Sequence, residues 1–235
     1  MEINESKQQT RPDQLRRKLF RGVPAGIGVL LAVQAKTALG AGVCASPSKI
    51  FSGNTSPRPG SGTSCSGGLS PGYWKQPQHF GSWVTAGAIA PTFKKGVDVC
   101  STGISNLSLD NIKTQGTLLS AIPFSGVTLS GTPTVSGGYG IWAVLAFPGS
   151  FGNGQLLRHL SAAWLNAGFF KTDPLYPVTR AQIVQMWEST KGGGIYCPGG
   201  GTSCTTGWTA TDVINYISGM YDINASGDPS LCQLP

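Results

Sequence analysis

The residue types best suited to recognition or chemistry lie close together between Ser70 and Trp83. Three aromatic side chains in this stretch could stack on a sugar ring, and they are Tyr73, Trp74 and Trp83. Aromatic residues this close in sequence are also typical of a segment that anchors a loop in a core, because their large apolar surfaces favour burial. The pattern predicts core packing, with a carbohydrate- or ligand-binding module as the alternative.

A serine flanked by glycines opens the same stretch, in Gly68-Leu69-Ser70-Pro71-Gly72. This sequence fits the Gly-x-Ser-x-Gly pattern of a nucleophile elbow, which holds its serine in a strained turn between a strand and a helix. Pro71 follows the serine directly, and a residue before proline is restricted to extended geometry. We therefore expect the agreement to be coincidental.

Histidine offers another route to catalysis, because imidazole can act as a general base near neutral pH. The chain has two histidines, and either would need a carboxylate beside it in a solvent-lined pocket: His79 and His159. His159 lies at the margin of an apolar helical stripe, so we expect a partly buried side chain with a local hydrogen bond. The sequence predicts no catalytic residue and a non-enzymatic protein, with a hydrolase of unknown class as an alternative.

Oxygen-bearing side chains alternate near the C-terminal end, as in a calcium-binding loop: Asp222, Asn224, Ser226 and Asp228. Gly227 takes the sixth position, but Gln233 stands where a calcium loop has a bidentate glutamate. A loop that ends a helix and is closed by a disulfide is therefore favoured over a metal site. The sequence predicts no cofactor.

All six cysteines follow residue 40, and an even number in an exported chain favours disulfides. Cys197 and Cys204 bracket a Pro-Gly-Gly-Gly segment, so closing the short loop between them costs little chain entropy. Their separation is too wide for a zinc knuckle. We predict this local bridge first. For Cys232 we favour Cys100 as partner ahead of Cys65, which leaves Cys44 to pair with Cys65.

The first forty residues resemble a bacterial twin-arginine export signal. Arg16 and Arg17 precede a weakly apolar run from Gly22 to Ala35, and small residues follow at 38–41. A run of about 14 residues is shorter than the ~20 needed to span a bilayer. We therefore expect a signal at 1–40, a Ser/Gly/Pro-rich lead-in at 41–69 and one domain at 70–235. The expected location is extracellular, cell-surface or periplasmic, with membrane contact only through the signal.

The formal net charge of +7 is divided unequally along the chain. Residues 1–40 hold 7 basic and 3 acidic side chains, so the remaining 10 basic and 7 acidic residues give only +3. After the signal, Lys94-Lys95 is the only pair of adjacent basic residues. Binding to a phosphate backbone needs a clustered basic face, so we expect no nucleic-acid partner.

Helical patterns dominate the second half of the chain. An apolar segment at 139–147 is followed by 155–167, where apolar residues fall on one face at helical spacing. Thr179 and Thr209 each precede a residue, Gln182 or Asp212, that can complete a capping box. Weak alternation predicts short strands at 92–99 and 126–130, and 113–122 predicts a helical turn or two. The expected fold is mainly α with minor short β strands, in a loop-rich, disulfide-stabilised single domain.

Several segments together resemble a family of exported bacterial proteins of unknown function. Residues 70–75 with Pro77 and Trp83 are similar to that family's Gly-Tyr-Trp-Lys-x-His-Pro…Trp motif. Residues 157–167 resemble its Leu-Arg-His-Ala-Val-Ala-Ala-Leu-Leu-Asn-Ala helix, residues 176–179 its Tyr-Pro-x-Thr step, and Cys232 its closing cysteine.

Members of this family often stand behind a signal or beside adhesin-like modules. The resemblance therefore implies a secreted or cell-surface domain with a structural or adhesive role, and with cell-surface or extracellular-matrix components as partners. The motif histidine does not carry over, because Gln76-Pro77 replaces Asn-His-Pro and His79 is displaced.

Overall fold

A computed structural model describes residues 46–52, 68–92, 108–132, 138–172, 176–201 and 204–221. All of these residues belong to the unit Leu39–Pro235, whereas the unit Met1–Ala38 lies outside them. Several predictions also fall outside the described residues: the export signal, most of the strand at 92–99, the calcium loop, and the bridges of Cys44, Cys65, Cys100 and Cys232.

The described residues are mostly helical, as predicted. In chain order the α-helices are α1 (Pro47–Phe51), α2 (Pro71–Lys75), α3 (Phe80–Thr85), α4 (Leu109–Ile112), α5 (Ile141–Ala146), α6 (Gly154–Phe169), α7 (Arg180–Thr190) and α8 (Ala210–Gly219). Short 3₁₀ helices lie at Pro77–His79, Leu119–Ala121 and Pro148–Ser150.

Helix α6 is the centre of the packing. It contacts α2, α3, α5, α7 and α8, and eleven of its sixteen residues are buried. The apolar stripe predicted for 155–167 explains this position, because a helix that is apolar over most of its surface must be enclosed by neighbours. The apolar side chains of the surrounding helices complete one hydrophobic core with those of α6.

The two predicted capping boxes are confirmed. The Thr179 hydroxyl accepts a hydrogen bond from the backbone N–H of Gln182, whose side-chain oxygen accepts one from the backbone N–H of Thr179. Thr209 and Asp212 make the same reciprocal pair at the start of α8. Each box satisfies two N–H groups that a helix N-terminus otherwise leaves unpaired.

Extended pairing is sparser than the sequence predicts. The strand expected at 126–130 is reduced to one antiparallel bridge between Leu129 and Phe151. Two further isolated bridges join Leu118 to Gly140 and Tyr196 to Trp208 among the described residues. Turns at Gly126 and Gly131, which both have positive φ, bound the expected strand and limit its length.

The predicted bridge between Cys197 and Cys204 is present, with a Cα–Cα distance of 5.9 Å. It lies in the connection between α7 and α8, inside the loop that the paired residues Tyr196 and Trp208 bound. These two residues exchange both backbone hydrogen bonds, each 2.8 Å long. The disulfide and the bridge together fix the path by which the chain leaves α7 and enters α8.

Candidate functional site

Ser70 is a helix cap in this structure. Its backbone is extended, with φ −70° and ψ 161°, and its hydroxyl oxygen accepts a hydrogen bond from the N–H of Tyr73 at 3.2 Å. Pro71 begins helix α2 directly after it, where a missing N–H costs nothing. The hydroxyl therefore orders the first turn of α2, and the local geometry is not that of a nucleophile elbow.

Trp74 and Trp83 lie in the core and are 0% exposed. Their rings meet edge to face at 6.4 Å, and Trp83 donates its indole N–H to the carbonyl of Trp74 at 3.1 Å. Because both indoles are buried, Tyr73, Trp74 and Trp83 do not form one exposed platform for a sugar, which was the alternative interpretation. Core packing, the other interpretation of the motif, describes the rings of Trp74 and Trp83.

Asn166 of α6 forms hydrogen bonds with the aromatic motif, defined as Ser70–Trp83, and with Leu69, the residue before it. Its side-chain oxygen accepts hydrogen bonds from the indole N–H of Trp74 and the backbone N–H of Leu69, both at 2.9 Å. Its side-chain nitrogen donates to the carbonyl of Leu69, also at 2.9 Å. Asn166 is fully buried, so these bonds satisfy polar groups that water cannot reach.

Gly68 makes this arrangement possible. Its φ is +79°, and a Cβ there would lie 2.6 Å from the Tyr176 ring and 2.7 Å from the Asn166 side-chain nitrogen. Both the backbone conformation and the space therefore require glycine. The chain can approach α6 closely enough for Leu69 to reach Asn166 only because residue 68 has no side chain.

Tyr73 and His79 form a stacked pair at the edge of the motif, with ring centroids 3.7 Å apart and planes 14° apart. The Tyr73 hydroxyl is hydrogen-bonded to Ser82 at 2.8 Å. Burial lowers the pKa of His79, because the charged imidazolium would lose hydration. Within the described residues, the buried Nδ1 atom of His79 has no hydrogen-bond partner.

His159 pairs with Tyr221 through a 2.8 Å hydrogen bond between Nδ1 and the phenol oxygen. His159 is partly buried and hydrogen-bonded, as predicted, but its partner is 62 residues away in the sequence and therefore not local. Burial lowers the pKa of His159, and the positive charge of Arg158 lowers it further. The pKa of Tyr221 is raised well above its ordinary value by burial. Both groups are thus neutral at pH 7, and the pair joins α6 to Tyr221, two residues past the end of α8.

A second polar group, which we call the Ser125 cluster, consists of Ser125, Glu188 and Lys191. The Ser125 hydroxyl lies 2.9 Å and 3.1 Å from the two carboxylate oxygens of Glu188 and 2.6 Å from Nζ of Lys191. Lys191 and Glu188 form an ion pair at 2.6 Å. The backbone N–H of Ser125 also donates to Glu188, at 3.1 Å.

The elements around the Ser125 cluster fix its geometry. Glu188 lies in the last turn of α7 and Lys191 just after it, so an i,i+3 spacing places them side by side. The carbonyl of Ser125 accepts hydrogen bonds from Trp187 and Lys191, at 2.9 Å and 3.1 Å. Asn153, at the start of α6, donates to the carbonyl of Lys191. The end of α7 therefore anchors both the Ser125 turn and the first turn of α6.

The charge of Glu188 is stabilised within this cluster. Burial alone would raise the pKa of Glu188, but hydrogen bonds from Lys191 and Ser125 outweigh burial and hold the pKa below its ordinary value. Glu188 is therefore a carboxylate at neutral pH and remains one into mildly acidic solution.

A cavity of about 320 Å³ opens beside the cluster. It is a partly open recess formed by one continuous segment of the chain and lined mainly by apolar groups, from residues Leu119, Ser120, Ile122, Pro123, Phe124, Ser125, Gly126 and Val127. Ser125 belongs to this lining and is exposed to solvent. The cluster thus places a hydroxyl, a carboxylate and an ammonium group at the edge of an apolar space.

Sequence reasoning missed the Ser125 cluster. The i,i+3 spacing of Glu188 and Lys191 was visible, but such pairs are common on helix surfaces. Ser125 is 63 residues from Glu188, and no local pattern connects the two. The calcium candidates Asp222, Asn224, Ser226 and Asp228 lie outside the described residues.

The chain matches no family model, no curated protein and no solved structure. The resemblance to exported bacterial proteins therefore stays a prediction. In the described part of the chain, no helix has the length and apolar character that crossing a membrane requires. The same residues contain no group of three or more His, Cys, Asp or Glu side chains arranged to hold a metal.

Proposed function

We propose that the protein is an exported structural or adhesive domain that acts at the cell surface or in the extracellular space. The observation that carries this proposal is the structural role of the aromatic motif, whose residues pack and cap elements of the fold. Trp74 and Trp83 are buried, Ser70 caps a helix, and Asn166 binds the motif to the central helix. The residues that most resemble exported proteins thus specify a rigid scaffold.

The disulfide and the leader support the same proposal. The bridge between Cys197 and Cys204 is compatible with an oxidising compartment. The paired Arg16 and Arg17 resemble the signal of twin-arginine transport, which would deliver the chain to such a compartment. The proposed partners are cell-surface or extracellular-matrix components.

Export is tested by fractionation of a bacterium that expresses the full chain. The protein should appear outside the cytoplasm with its disulfide formed. Replacement of Arg16 and Arg17 together by lysine should retain it in the cytoplasm, whereas lysine at Arg11 and Arg21 serves as a control that preserves the pair. If neither variant were retained in the cytoplasm, this result would contradict twin-arginine transport.

The adhesive role is tested with the exported protein itself. Purified protein should bind saturably to immobilised bacterial cells or to extracellular-matrix extract, and heat-denatured protein should not bind. Exposed-surface variants that keep the fold would then locate the contact. Absence of binding to either surface, with the fold intact, would contradict adhesion and leave only the structural part of the proposal to be tested by deletion.

A further inference from the structure

Ser125 differs from the other serines of the described residues in its surroundings. It is exposed, and its hydroxyl lies within hydrogen-bonding distance of both a carboxylate and an ammonium group. Ser70 caps α2, Ser82 is buried against Tyr73, and Ser218 donates to a backbone carbonyl. Among the described residues, Ser125 combines access, a proton acceptor and a positive charge.

We propose that Ser125 is a nucleophile that accepts an acyl group from an ester, with Glu188 as its proton acceptor and Lys191 as the cation that stabilises negative charge. This inference is independent of the structural or adhesive role, which does not require Ser125 to react.

The distances suit proton transfer from Ser125 to Glu188. A general base must lie about 2.6–3.2 Å from the atom whose proton it takes. The two carboxylate oxygens of Glu188 meet this requirement at 2.9 Å and 3.1 Å. The ammonium group of Lys191, 2.6 Å from the same oxygen, favours the developing negative charge on the hydroxyl.

The reaction balances without any further reagent. The hydroxyl oxygen of Ser125 bonds to the ester carbon, its proton passes to Glu188, and the carbonyl electron pair moves onto the carbonyl oxygen. When the carbonyl re-forms, the bond to the leaving oxygen breaks and Glu188 returns the proton to that oxygen. Water then adds to the acyl-serine by the same route, which releases a carboxylic acid and restores Ser125.

Lys191 can also stabilise negative charge at a later step of this reaction. Its three N–H bonds are directed at the hydroxyl and carbonyl oxygens of Ser125 and at Glu188. Once the hydroxyl oxygen is bonded to carbon, the N–H directed at it can be donated to the negative oxygen of the tetrahedral intermediate. Stabilisation of this developing charge is a large term in acyl transfer.

The surroundings also define the substrate class. The pKa of Glu188 lies below its ordinary value, so this carboxylate is a weak base. The reaction therefore favours esters with a leaving group that departs easily, such as aryl esters. The apolar cavity beside Ser125 is about 320 Å³ in volume and fits a short aliphatic acyl chain.

The test uses the full chain with its disulfide formed and p-nitrophenyl butyrate as the probe. We expect release of p-nitrophenolate, and peptide mapping should place one butyryl group on Ser125. Ser125→Ala should abolish acylation at position 125 and reduce p-nitrophenolate release by at least roughly 100-fold, the lower limit of a general-base contribution, because Glu188 then has no hydroxyl to activate. Ser130→Ala is the matched control, because Ser130 is exposed and does not line the cavity. It should react like the unchanged protein.

Two further substitutions separate reactivity from folding. Glu188→Gln keeps an oxygen that can accept from Ser125 but removes the base, and Lys191→Arg keeps the positive charge. We expect the first to lose acylation and the second to retain most of it, with thermal unfolding midpoints measured for each. Unchanged acylation in folded Glu188→Gln, or a butyryl group on Ser120 or Lys191 in place of Ser125, would overturn the proposal. Adhesion that persists in Ser125→Ala would leave the structural role intact.

Discussion

Replacement of Asn166 by alanine should be among the most damaging single substitutions in the described core. The change removes three hydrogen bonds and leaves the N–H and C=O of Leu69 and the indole N–H of Trp74 buried without a partner. Each unsatisfied buried group costs about 1–3 kcal/mol. Partial relaxation of the chain lowers the sum, so we expect a loss of about 3–5 kcal/mol in the free energy of unfolding. A domain of ordinary stability has only about 5–15 kcal/mol.

Urea denaturation measures this loss, with intrinsic tryptophan fluorescence as the signal. Trp74 is a direct reporter, because its indole N–H is one of the groups left unpaired. Asn215→Ala is the matched control, since Asn215 is an exposed residue of α8. That substitution should change the free energy of unfolding by less than about 0.5 kcal/mol.

The isosteric change Asn166→Asp adds a sharper comparison. Aspartate can still accept from Leu69 and Trp74, but it cannot donate to the carbonyl of Leu69 unless it is protonated. Relative to the unchanged protein at the same pH, the stability of Asn166→Asp should therefore rise as the pH falls, whereas that of Asn166→Ala should not. A loss below about 1 kcal/mol for Asn166→Ala would refute the view that this side chain holds the aromatic motif in place.

Other predictions address separate parts of the fold. Thr179→Ala and Thr209→Ala should each cost about 1 kcal/mol in chemical denaturation, because each removes a helix cap, and a loss at neither site would contradict the observed capping boxes. Replacement of Cys204 by serine should cost about 2.5 kcal/mol by chain entropy, measured against the oxidised protein; equal stability would show that the bridge does not restrain the unfolded chain. Because burial and Arg158 lower the pKa of His159, the unfolded chain binds a proton more readily, and stability should decrease as the pH falls below about 6.5. His159→Gln should reduce that decrease between pH 7 and 5, and identical pH profiles would count against this assignment.

The parts of the fold that were predictable from sequence are those determined by neighbouring residues. The capping boxes at Thr179 and Thr209 depend on a spacing of three residues, and the path of α6 depends on a periodic apolar face. The bridge between Cys197 and Cys204 closes a short loop, so proximity in sequence was sufficient to predict it.

The features that were not predicted depend on residues far apart in the chain. Asn166 reaches Trp74 across 92 positions, and Ser125 reaches Glu188 across 63. The partner of His159 is 62 residues away. Such pairs leave no periodic signal, because only the packing of separate elements decides which side chains meet. The short strand at 126–130 was overestimated for the related reason that strand pairing needs a partner segment, which local alternation does not reveal.

The bridge between Cys197 and Cys204 also has a mechanical consequence for a domain held at a surface. Under tension, the seven residue steps between these cysteines could extend by about 3.4 Å each, to about 24 Å. The disulfide holds their Cα atoms at 5.9 Å, so it removes about 18 Å from the length that a pulling force can draw out. Force applied at the chain ends would then pass from α7 to α8 through a covalent link, and the glycine-rich loop between them would carry none of it.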